Sequence, residues 1–172
     1  FLLVDIGHDV SVFNSHNHPY KKKMWKGVNI IHSYDPEFIL GTPGQFIYDL
    51  NCILHCRRHH FDIVLQLGYT SSSIWNFLFP KKSCIITNMD GLEWKRSKFS
   101  KLTQYFIKYS EKKVIKYSNY FVADSIGIQQ YLFKTYKINS TYIPYGATIN
   151  KLSESKILNK FNLKKFEFDL VI

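Results

Sequence analysis

Short apolar runs recur along this chain at regular intervals, and helical patterns fill the stretches between them. Residues 10–13, 28–31, 62–68, 84–88, 120–123 and 141–144 each read as a strand of four to seven residues. Between them, residues 43–60 place Phe46, Ile47, Leu50, Ile53 and Leu54 on one broad helical face. Residues 97–118 and 128–136 have the same period. Thr70 and Ser71–Ser73 offer hydroxyl caps for a short helix that runs through Phe79 and stops at Pro80. Strands that alternate with helices at this pace cannot all pair through tight hairpins. The pattern predicts a parallel, three-layer α/β domain.

At 172 residues the chain can bury one full core and not two. The expected division is a domain over 1–150, then a charged linker from 151 and a strand at 166–172 that opens a second domain. Residues 1–6 read as the end of a helix closed by Gly7, so the sequence is expected to lack its natural beginning. A net charge of +10 implies an anionic partner, be it nucleic acid, an acidic membrane surface or a phosphorylated small molecule. Three cysteines, an odd number without paired spacing, fit a reducing compartment and point to the cytoplasm. No apolar run approaches the roughly 18 residues that a bilayer-spanning helix requires.

Residues 88–100, NMDGLEWKRSKFS, gather Asp90, Glu93, Lys95, Arg96 and Lys98 around Trp94 directly after an apolar strand. Loops that leave the carboxyl ends of parallel strands face the ligand crevice, and Asp90-Gly91 is a strong turn signal. The stretch therefore reads either as a polar-substrate site or as a solvated connection. In the following helix, Lys98, Lys101, Lys108, Lys112 and Lys116 fall within an arc of roughly 80°. Leu102, Phe106, Val114 and Tyr117 form a separate arc, expected to be the core face. The lysine arc is either the wet side of the helix or an anionic docking surface.

Cys52, His55, Cys56, His59 and His60 lie at helical spacings, but no second ligand pair answers them elsewhere. They read as apolar-facing cysteines and surface histidines. Phosphate-loop, dinucleotide-binding, zinc-protease and nucleophile-elbow motifs are all missing. A basic α/β module that binds single-stranded nucleic acid without catalysis is the competing class. Its weakness is that the aromatics fall mainly where a core needs them.

NMDGLEWKRSKFS, followed by SEKKVIKYSNYFVADS and then YIPYGA, resembles the amino-terminal domain of bacterial rhamnosyltransferase-type enzymes among the family-four-like GT-B glycosyltransferases. GHDVSVF, FIYDL and DIVLQLG are similar to that domain in the same order. The resemblance implies a Rossmann-like acceptor-side domain without its first strand and glycine-rich loop, with the donor-binding domain to follow. It implies retaining transfer of a sugar such as rhamnose from a nucleotide-sugar to a glycan or lipid-linked acceptor, with no metal or other cofactor. The expected setting is the cytoplasm, at the inner face of the membrane. Carried over by position, Asp90, Gly91, Glu93, Trp94 and Arg96 line the cleft; chemically Asp90 or Glu93 could orient the acceptor hydroxyl, with Asp90 the expected catalytic residue, and Arg96 could pair with a phosphate of the lipid carrier or donor. Tyr69, Tyr145 and Gly146 complete the substrate-binding set. Alternatives stay open within this set, since Trp94 could simply pack on the next helix and Arg96 could simply pair with Glu93.

Overall fold

The computed structural model describes residues 2–146. Helix α1 (Leu2–Asp5) ends at Gly7, whose φ of 94° lets its own N–H and that of His8 return to Val4 and Leu3 carbonyls. Strand β1 (Ser11–Ser15) then runs parallel to β3 (Val28–Ser33). The connection between them carries an unforeseen edge strand, β2 (Met24–Trp25), antiparallel to β3. Lys26 and Gly27, both at positive φ, make the two-residue hairpin that joins them.

A short helix, α2 (Glu37–Leu40), precedes α3 (Gly44–Arg58), which matches the helix expected over 43–60. The second sheet is wholly parallel, in the order β4 (Ile63–Gln66), β5 (Cys84–Met89), β6 (Tyr120–Ala123), β7 (Thr141–Tyr142). Helices α4 (Lys101–Tyr117) and α5 (Ile126–Tyr136) connect its later strands. Tyr69, Met89, Val114, Phe121, Ala123 and Leu132 are central to one buried cluster on this sheet. The result is α/β, as the alternation predicts, and Rossmann-like, as the resemblance implies.

Several expectations shift for local reasons. The helix expected from 97 starts at Lys101, because Ser100 caps it by accepting from the Thr103 N–H at 3.2 Å. The hydroxyls before residue 74 do not cap a helix. Ser71 donates to Asp49 at 2.5 Å instead, and Ser72–Leu78 is a 3₁₀ segment. The strand at 141–144 is shortened to Thr141–Tyr142, with one further bond from the Ile143 N–H to the Ala123 carbonyl at 2.9 Å before Pro144, which has no N–H to give. The strand at 62–68 is shorter than expected and is an edge strand, with Ile63, Leu65 and Leu67 exposed. The linker at 151–165 and the strand at 166–172 lie outside the described residues.

The largest correction concerns α4. Its buried face is Ile107, Ser110, Glu111 and Val114, whereas Leu102 is 79 % exposed and Tyr117 is also exposed. The packed face is thus offset by roughly 75° from the apolar arc. Glu111 explains the offset: the acid is drawn inward by polar groups that the helix pattern does not contain.

Candidate functional site

Every residue expected at the site follows a strand of the parallel sheet at its carboxyl end. Tyr69 comes after β4, residues 90–96 after β5, and Tyr145 with Gly146 after β7. Gly91 takes a φ of 44°, which turns the chain out of β5. Asp90, just before it, is exposed and makes no hydrogen bond or ion pair among the described residues. Its carboxylate is free to accept from a ligand. Glu93 and Arg96 are paired with each other at 2.9 Å across the 3₁₀ turn Glu93–Lys95. Gln104 of α4 steadies the end of the loop by donating to the Arg96 and Phe99 carbonyls.

Trp94 faces inward. Its Nε1 donates to Glu111 Oε2 at 3.1 Å, and Lys108 Nζ sits 4.4 Å from the centre of its ring. Glu111, 1 % exposed, is the hub. Its other oxygen accepts from Lys108 at 2.7 Å, from the Tyr131 hydroxyl at 2.7 Å and from the Tyr136 hydroxyl. A lone carboxylate here would be costly, and these donors from the loop, α4 and α5 make burial tolerable. Partial burial works against the Lys108 charge, but its bonds to Glu111 and Tyr131 outweigh that and hold its pKa above the ordinary lysine value. Burial, followed by the bond to Glu111, raises Tyr136 above the ordinary tyrosine range, so the hydroxyl stays a donor. Lys108, assigned by its helical angle to the lysine arc, belongs to this network instead.

Tyr69 is buried, and its hydroxyl has no partner among the described residues. Burial raises its pKa, with further contributions from Glu111, Tyr131, Glu93 and Asp90. The phenol is therefore a neutral donor held among carboxylates. Beneath it, Thr87 donates to Gln66 at 2.9 Å and meets Ser118 at 2.7 Å, while Gln66 also donates to Ser72. This buried polar row ties β4 to β5 where the site loops depart. Asn88 donates to the Tyr145 hydroxyl at 3.4 Å, which connects the exposed Tyr145 to the end of β5. Gly146 is exposed, and a Cβ added there would meet no atom within 4 Å among the described residues.

The cysteine and histidine group of α3 lies apart from these loops. Burial pushes the Cys52 and Cys56 thiols up to about 11, away from the thiolate form that binds metal. His55 stacks on His59 at 3.9 Å. No group of three or more metal-ligating side chains occurs among the described residues.

Residues 74–148 match the family model described as a domain of unknown function, DUF1972. It is a domain associated with glycosyltransferases. The matched span contains the loop from Asp90 to Arg96, the Glu111 hub and both Tyr145 and Gly146; Tyr69 falls just before it. No curated protein matches the chain.

The structure thus brings Tyr69, Glu93 and Asp90 into one electrostatic neighbourhood and links Trp94 to α4 and α5. It gives Trp94 and the Glu93–Arg96 pair structural partners, the plainer of the two readings left open for them. Glu111 escaped sequence reasoning, although one signal was there: it is the lone acid in the 17 residues of α4. A single carboxylate amid lysines marks a position where charge has a specific partner.

Proposed function

We propose that this chain is the acceptor-side half of a retaining GT-B glycosyltransferase that moves a sugar, rhamnose foremost, from a nucleotide-sugar to a glycan or lipid-linked acceptor. The observation that carries this reading is the free Asp90 carboxylate at the carboxyl end of β5, inside the span that matches a glycosyltransferase-associated domain. Asp90 would accept a hydrogen bond from the attacking acceptor hydroxyl and orient it. Tyr69 and Tyr145 would supply neutral donors nearby. Arg96 would reach a phosphate only by leaving Glu93, so its role would be secondary.

The same reading places a further strand between β1 and β4. Both are sheet edges among the described residues, with Val12 on one and Ile63 and Leu65 on the other exposed. The donor-binding domain would follow the described residues.

Asp90→Asn in the full-length enzyme tests the proposal. Asn keeps the turn, so stability and donor affinity should be unchanged while turnover falls by on the order of 100-fold. Near-wild-type transfer rejects the role of Asp90. A fall in melting temperature with the loss of activity would assign Asp90 to the fold instead.

A further inference from the structure

Asp90 sits on a short arch that is anchored at both ends. On one side Met89 is 3 % exposed and pairs with Ala123 in the parallel sheet. On the other, Leu92 packs against the buried apolar cluster. The Leu92 carbonyl accepts from the Lys95 N–H at 2.8 Å, which closes the 3₁₀ turn that carries Trp94. Only Asp90 and Gly91 lie between Met89 and Leu92. So short a span has little slack, and a displacement at Leu92 or Trp94 is passed on to Asp90.

The far anchor is secured by polar bonds more than by apolar contact. The Trp94 indole donates to Glu111 at 3.1 Å, Lys108 lies 4.4 Å from its ring centre, and the Tyr131 and Tyr136 hydroxyls of α5 hold Glu111 in turn. For stability alone this is a poor choice, because a buried charged network is often no better than apolar side chains of similar volume. What it adds is direction. Bonds with preferred angles fix where an indole points, whereas apolar contact tolerates sliding. Such precision has a use when something on the loop must be held in place, and the loop's free carboxylate is Asp90. We infer that Trp94 and Glu111 are positioning residues, which place Asp90 through the arch and do not themselves touch the acceptor. Both roles rest on the sugar-transfer reading, since the acceptor-orienting carboxylate is what they place. Trp94 then acts through Asp90, and not as a wall of the cleft.

Trp94→Phe in the full-length enzyme is the test, because it keeps an aromatic ring beside Lys108 and removes only the indole N–H. The kcat should fall by roughly ten-fold or more, with the KM for the donor unchanged. In an Asp90→Asn background the same substitution should cost nothing further, because the group it places is already gone. It should also add nothing to Glu111→Ala, measured at a temperature where that variant is folded. A role in general stability would lower the rate by the same factor in every background; that result overturns the inference, as does a wild-type kcat in Trp94→Phe. Amide hydrogen exchange reads the arch without any transfer. The Lys95 and Arg96 amides, bonded to the Leu92 and Glu93 carbonyls, should exchange roughly ten-fold faster or more in Trp94→Phe, while those of β4 stay as they were. Unchanged exchange at Lys95 and Arg96 also overturns the inference. Failure of the sugar-transfer reading looks different: Asp90→Asn then keeps the wild-type rate, or the wild-type enzyme transfers nothing, and exchange alone decides whether Trp94 holds the arch.

Discussion

The two sheets of this protein are built to different standards. The four-stranded sheet carries a shared apolar cluster, a buried polar row and the Glu111 hub, all beneath the candidate site. The three-stranded sheet buries Val28 and Ser33 and leaves Val12, Met24 and Trp25 exposed. Site loops need a rigid support, because a positioned carboxylate loses its advantage if its frame moves by an ångström. The lesson is that rigidity is concentrated under Asp90, while the β1–β3 sheet depends more on α3.

The sharpest way to break this contrast is Glu111→Ala, which strands Trp94, Lys108, Tyr131 and Tyr136 at once. Urea denaturation should show a loss of about 3–5 kcal/mol, the range for removing one partner of a buried charged network. A loss below about 1 kcal/mol would mean that the hub does not hold the loop. Leu132→Ala, in the apolar cluster, should cost about 2–5 kcal/mol. The same truncation of Val12 in the three-stranded sheet should stay within about 0.5 kcal/mol. Equal costs at the two positions would erase the distinction.

Alkaline unfolding sharpens the comparison through α3. The Cys52 and Cys56 thiols ionise near 9.0 when unfolded and near 11 when folded, so the folded state keeps protons that the unfolded chain has lost. Their stabilisation is complete below about pH 9 and is lost as pH rises toward 11. Replacing both by Ala should flatten that decline, measured as melting temperature against pH. The smallest effect is expected at Tyr69→Phe. Its hydroxyl is buried without a partner, so removal should leave stability unchanged or raise it by up to about 1 kcal/mol. A clear loss would show that the hydroxyl is bonded in the free protein.

Alternation of apolar runs and helical stretches was enough to fix the class of fold and to place Asp90, Tyr69 and Tyr145 at the ends of parallel strands. These are local properties: periodicity, a glycine after an aspartate, a serine before a helix. The tight hairpin at Lys26-Gly27 was not legible, because Lys gives no hint of positive φ. Nor was the rotation of α4, for helical angle treats Leu102 and Val114 alike, yet one is exposed and the other fully buried. Only the tertiary structure decided which of five charges near Trp94 stayed free. Asp90 remained so because the loop spends Glu93 on Arg96 and Trp94 on Glu111, and those partnerships join residues up to 17 positions apart. Short-range patterns record what each segment can become; the pairing of a buried carboxylate with donors from three elements exists only once those elements have packed.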